Sequence, residues 1–192
     1  MRHKLKIDLH THCFEALGFP EPTEEIVGKI VRAVKEKGLD GIAVTEHNDR
    51  DYGFKTKLSV ERFFGNEVII IPGQEIDIEI EDRQKHHRVP IQLIKLYFPE
   101  NRVFTFLPHP GFPSPEWINI FPYLPRLDGI EIRNGNHSID RRTVEEVAYK
   151  RELLLVSASD AHELERVGIF YNELEIDELL ARAGQNRDKE EL

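Results

Sequence analysis

Apolar residues along the chain follow two rhythms, short runs suited to strands and a 3.6-residue repeat suited to helices, and their order predicts alternating β and α layers. Residues 4–9 form a short strand. Residues 24–37 place Ile26, Ile30, Val31 and Val34 on one face, with Thr23 as N-cap, acids in the first turn and Gly38 as the stop, which predicts an amphipathic helix. A second strand is expected over 41–45, a second helix over 57–64 and a third strand over 68–71, apolar on both faces as parallel strands covered by helices are. The middle departs from this rhythm: residues 75–80 alternate strictly, 89–98 are a further apolar strand, and the polar stretch 81–88 joins them as an inserted β-hairpin. Later strands are expected over 103–107, 129–132 and 153–156, with helices near 115–121 and 140–150. From residue 185 the chain is mostly charged and polar, so one domain is expected over 1–184 and a tail over 185–192.

Histidines and acids cluster just after these apolar runs: Asp8, His10 and His12, then Glu46 and His47, Glu75, His109, and finally Asp160 and His162. Side chains i and i+2 of a strand share a face, so His10 and His12 leave the first strand together, as do Asp160 and His162 after the last. Imidazole and carboxylate suit zinc, manganese or iron. A single zinc needs about four ligands, so this many donors points to more than one ion. Strand carboxyl ends are also where barrel and open α/β folds build active sites.

Composition narrows the function classes. The 192-residue chain is long enough for a substantial core. Its single cysteine leaves no internal disulfide framework and fits a reducing cytoplasm. The opening Met1-Arg2-His3-Lys4-Leu5-Lys6 has no apolar signal region behind it, and no apolar stretch reaches the ~20 residues of a membrane span. A formal net charge of -9 counts against long nucleic acids as partners, while a small phosphorylated substrate at a cation-bearing site remains compatible with it.

Read together, Asp-Leu-His-Thr-His, Thr-Glu-His-Asn, Gly-Gln-Glu, Pro-His-Pro-Gly, Ile-Glu-Ile-Arg-Asn-Gly and Ser-Asp-Ala-His, in this order over nearly the whole chain, resemble the polymerase and histidinol phosphatase (PHP) family. The resemblance implies an α/β fold, a distorted TIM-like (β/α)7 barrel of the PHP type, here with the inserted β-hairpin. It also implies two or three divalent metal ions (Zn, Mn or Fe). His10, His12, Glu75 and Asp160 would hold one; Glu75 would bridge to a second held by His109 and His137; His47 and His162 would hold a third. Family members place an Asp or His a few residues beyond the first motif, where Glu15 or Glu21 stands here. Glu46 replaces the usual Asp before His47 and is expected to orient that imidazole.

The implied activity is hydrolysis of a phosphoester, as a small-molecule phosphatase or phosphodiesterase, by a metal-bridging hydroxide. Beside Glu75, Asp160 would accept the nucleophile's proton and His162 would protonate the leaving oxygen. Arg133 and Arg166 are candidates for gripping a phosphate, or else ion-paired surface residues. The alternatives are a nuclease acting on short DNA or RNA ends and a non-catalytic scaffold subunit. His137 is either a ligand or a cap of the turn at 134–136, and Cys13 reads as a small filler beside the site. His3, His86 and His87 read as solvent-facing, and Phe112, Trp117 and Phe121 as pocket wall or core.

Overall fold

A computed structural model of the protein describes residues 4–185, so the reading of His3 and the expected tail beyond 185 lie outside the described residues. The chain opens with β1 (Leu5–Thr11), α1 (Cys13–Ala16), α2 (Glu24–Glu36), β2 (Gly41–Val44) and α3 (Arg50–Phe64). Two long strands, β3 (Ile69–Asp82) and β4 (His87–Phe98), lead into β5 (Arg102–Leu107) and the short α4 (Trp117–Ile120). Then come β6 (Gly129–Asn134), α5 (Arg141–Arg151), β7 (Leu154–Ala158), β8 (Asn172–Leu174), α6 (Ile176–Arg182) and β9 (Gly184–Gln185).

The strands form one sheet in the order β7-β6-β5-β4-β3-β2-β1-β8, with β9 on β5. It curls into a nearly closed barrel whose seam is sealed by one side chain: Asn172 of β8 donates to the carbonyls of Ile7 and Ser157 and accepts from the Ser157 amide. Beyond the seam, the Asp160 amide donates to the His10 carbonyl and the His12 amide to that of Ala161. The barrel interior is filled by Leu9, Ile71, Ile94, Phe104, Phe106 and Val156, while α2 and α3 cover Ile42, Val44 and Ile70 on the outer face.

The expected third strand and first hairpin strand are one continuous element, β3. Pro72-Gly73 reads as a strand break in sequence, yet Pro72 pairs with Val44 in a parallel ladder and Gly73 with Leu96 in an antiparallel one. Gly73 is there for close approach: a Cβ would sit 2.8 Å from Thr45 Cγ2 and 2.9 Å from Leu96 Cδ2. Because β3, β4 and β5 pair antiparallel, the β/α alternation lapses there and the hairpin is part of the barrel wall. At its tip Asp82 accepts from the amides of Gln84 and Lys85, and Lys85 and His87 pair with Glu116. His87 is thus tied to a carboxylate rather than merely solvated; His86 is exposed.

Two further differences have local causes. Helix α3 begins at Arg50 rather than 57, because the Asp49 carboxylate caps the amides of Asp51 and Tyr52. Gln185, read as the start of the tail, pairs with Arg102 in β9. Trp117 is buried in the cluster under the hairpin and Phe121 packs against it, so both belong to the core and not to a pocket.

Two β-bulges decide which way the chemistry points. Between Asp8 and Thr11, β1 carries one residue more than β2: Asp8 pairs with Ile42 but Thr11 with Val44. The extra residue reverses the in/out alternation, so Leu9 still fills the interior while His10 and His12 also turn into the barrel mouth. The second bulge lies in β6, where Glu131 pairs with Val156 and Arg133 with Ser157. Glu131 therefore points inward, fully buried, and Arg133 turns outward into solvent.

Candidate metal centre

His10 and His12, Glu75, His109, Asp160 and the half-buried His137 converge at the carboxyl ends of the barrel strands. Glu75 stands at the centre. Its Oε2 lies 3.3 Å from each of His10 Nε2, His12 Nε2 and His47 Nδ1, while its Oε1 lies 2.9 Å from His109 Nε2. Asp160 is divided in the same way, with Oδ1 at 3.3 and 3.2 Å from His10 and His12 Nε2 and Oδ2 at 3.8 Å from His137 Nε2. Sequence reasoning anticipated the bridging carboxylate Glu75; the second shared carboxylate, Asp160, emerges only here. Both His109 (φ 27°) and Asp160 (φ 52°) have left-handed backbones, strain of the kind that collects at functional sites.

The donor set fits divalent ions. His10 Nε2 and His12 Nε2 are 3.0 Å apart, and each lies 3.2–3.3 Å from Glu75 Oε2 and Asp160 Oδ1. Donors that share a tetrahedral ion at bonds of about 2.0–2.2 Å stand about that far from one another. Glu75, His109, His137 and Asp160 supply donors for a neighbouring position. A third group, His12, Glu15, His47 and His162, also converges, with His162 Nε2 3.5 Å from Glu15 Oε2. Glu15 therefore takes the place left open between it and Glu21, which pairs with Lys55 instead. His12 is sandwiched there between His47 and His162, at ring distances of 4.4 and 4.2 Å, and its buried Nδ1 has no hydrogen-bond partner.

Electrostatics show how much positive charge this pocket attracts. Burial opposes charging of His10, but Asp160, Glu75 and Glu131 outweigh it and raise its pKa well above the usual value. His12 and His109 are likewise disfavoured as cations by burial, yet raised, chiefly by hydrogen bonds to Asp160 and Glu75 for His12 and to Glu75 for His109. For Glu75 and Asp160 burial favours the neutral form, and the surrounding imidazoles, His10 foremost, override it and hold both well below the carboxylate range. Burial lowers His47 and His137, which sit nearer the surface. Protons and divalent ions compete for the same lone pairs, so metal uptake here releases protons.

Several supporting residues escaped sequence reasoning. Glu131 accepts from His10 Nδ1 (2.8 Å) through Oε1, and from the His109 amide (2.7 Å) and Asn134 Nδ2 (2.9 Å) through Oε2. It thereby fixes the His10 tautomer with Nε2 free to bind an ion. Asp8 accepts from the amides of His10, Ser159 and Gly168, and burial pushes its carboxyl up to about 6. The one signal for either was an acid inside an apolar strand run.

Three expectations are corrected. Glu46 does not orient His47: its carboxylate accepts from the amides of Phe14 and Glu15 at the start of α1, and burial raises it to about 7. Arg133 is outside the site because of the β6 bulge. Arg166 donates to the Gly135 carbonyl at 2.7 Å, holding the loop before His137 rather than standing free for a phosphate. Cys13 is a buried filler, as expected, its thiol pushed up by burial.

Exposure separates the third group from the rest. His47, His162 and Glu15 are 40, 35 and 41% exposed, against 0–3% for His10, His12, Glu75, His109 and Asp160. An ion held there should exchange faster than the inner pair. Replacing His47 with Ala should leave two ions bound and lower kcat/KM by about 10- to 100-fold, read by elemental analysis and steady-state kinetics. Loss of all ions from His47→Ala would show that the third group is integral to the cluster.

Comparison with known proteins places this geometry. A family model described as PHP-associated matches residues 138–185. An uncharacterized protein of Methanocaldococcus jannaschii is 28% identical over 145 residues, covering 69% of this chain and 84% of its own. Among solved structures, a proposed metal-dependent phosphoesterase of Bifidobacterium adolescentis superposes with a TM-score of 0.66 at 13% identity, over 93% of this chain and 96% of the other. An amidohydrolase of Chromobacterium violaceum, solved with bound sulfate and no metal, gives 0.62 at 14% identity, over 96 and 99%. At such identities the structural matches speak for the fold.

Proposed function

We propose that this chain, a PHP-type protein by its PHP-associated segment and its fold, is a metal-dependent hydrolase that acts on a phosphoester. The observation that carries the reading is the division of Glu75 and Asp160, each of which offers its two oxygens to different sets of imidazoles. Such shared carboxylates suit adjacent divalent ions, which when bound would activate a water and offset the charge of a phosphoryl group.

The chain's own residues supply placement and proton handling. Glu131 and the Phe112 carbonyl accept from Nδ1 of His10 and of His109, leaving both Nε2 atoms free for the centre. Asp160, kept ionised, is placed to accept a hydrogen bond from an attacking water. His162 donates from Nδ1 to the Asp160 carbonyl at 3.0 Å, so its Nε2, at the rim, is the nitrogen that can carry a proton to a leaving oxygen. The acidic chain favours a small substrate or a short oligonucleotide end over long nucleic acid. No helix among the described residues is long and apolar enough to cross a membrane.

The test is hydrolysis of phosphomonoesters, linear and cyclic diesters and short oligonucleotides by protein loaded with manganese or zinc. Activity should vanish on chelation and return with metal. Fully loaded protein that cleaves no phosphoester but hydrolyses amides would replace this reading with that of an amidohydrolase.

A further inference from the structure

Beside the inner donors stands one large apolar side chain that packing does not explain. Phe112 is 46% exposed, although its ring lies 4.1 Å from that of His137, tilted by only 21°, and edge-on to His109 at 5.6 Å. Its neighbours Trp117 and Phe121 are core residues; Phe112 is not. Its backbone is fixed: the Phe112 amide donates to the His109 carbonyl at 3.0 Å, and its own carbonyl lies 3.3 Å from His109 Nδ1. Flanking Pro110 and Pro113 further limit the segment. The ring is therefore held at the mouth next to two metal-type donors.

We infer that Phe112 determines specificity, giving a stacking surface to a planar ring carried by the substrate. The inference rests on the phosphoester reading and names its substrate class, a phosphate ester of nucleotide type. The spacing argues for that class. The imidazole of His137 lies between the Phe112 ring and Asp160, with Nε2 3.8 Å from Oδ2, so a ring joined directly to the ester oxygen would fall short of Phe112. A ring separated from phosphorus by a unit the size of a sugar reaches past the imidazole. Stacking tolerates any base, because every base has a π-face.

Adenosine 5'-monophosphate and ribose 5-phosphate carry the same phosphomonoester and differ only in the base, so their affinities for the metal-loaded protein isolate the ring. Calorimetry should show the nucleotide binding about 10- to 100-fold more tightly than the sugar phosphate. In Phe112→Ala that ratio should fall to within about threefold of one, with ribose 5-phosphate affinity unchanged, and Phe112→Tyr should keep it. Phe112→Leu retains apolar contact with His137 without a π-face; it should keep its ions, by elemental analysis, and lose the ratio as Ala does. A wild-type ratio near one, a ratio that survives in Ala and Leu, or loss of ions from both variants would overturn the inference. If the ratio behaves as expected but no phosphoester is cleaved, the hydrolase reading fails and the stacking role stands; failure of either ligand to bind overturns the stacking role.

Discussion

Replacing Glu75 with Gln should cost the protein both inner ions and reduce hydrolysis by on the order of 10³-fold or more. The variant is isosteric, so packing is preserved and the change is electronic. Glu75 presents Oε2 to His10, His12 and His47 and Oε1 to His109, and an amide cannot offer two anionic oxygens. Whichever way the Gln turns, an N–H faces imidazole nitrogens that should bind a cation, and the repulsion between neighbouring ions is no longer offset. Elemental analysis beside steady-state rates checks this. Full metal content and activity in Glu75→Gln would show that no carboxylate is shared at that position.

The second large effect should follow from Glu131→Ala, which touches no expected ion. Truncation strands three buried donors at once, His10 Nδ1, the His109 amide and Asn134 Nδ2, around a side chain with no solvent exposure. Leaving such groups unpaired should lower stability by roughly 2–4 kcal/mol. With His10 free to rotate or change tautomer, metal affinity should also fall by about 10- to 100-fold. Glu131→Gln retains one acceptor oxygen and should fall between wild type and Ala. Denaturant unfolding of the metal-free protein reads the first effect and competition with a chelating dye the second. A Glu131→Ala protein with wild-type metal affinity would mean that His10 is held by its strand alone.

Most of the centre was legible because its chemistry sits in short motifs at strand ends. His10, His12, Glu75, His109 and Asp160 could be picked out since each follows an apolar run, and they do converge. Glu15 could be named only as one of two, because whether it or Glu21 reaches His162 depends on how α1 turns the chain. Glu46 was placed beside His47 by sequence adjacency, whereas its carboxylate satisfies amide groups of α1. The continuous β3 was read as two strands because Pro and Gly signal a break locally, while here they serve a ladder and a close contact between neighbours.

The amino-acid order by itself determined which residues have donor chemistry, which faces are apolar, and that strands alternate with helices around one end where the donors lie. Those properties follow from local periodicity and side-chain type. Tertiary structure alone decided the direction of several side chains and the sharing of carboxylates. A bulge is defined only against its partner strand, so the extra residue between Asp8 and Thr11, which turns His10 and His12 inward, leaves no mark in the hydrophobic pattern. The bulge after Glu131 works the same way, sending Glu131 inward to hold two histidines and Arg133 outward to water.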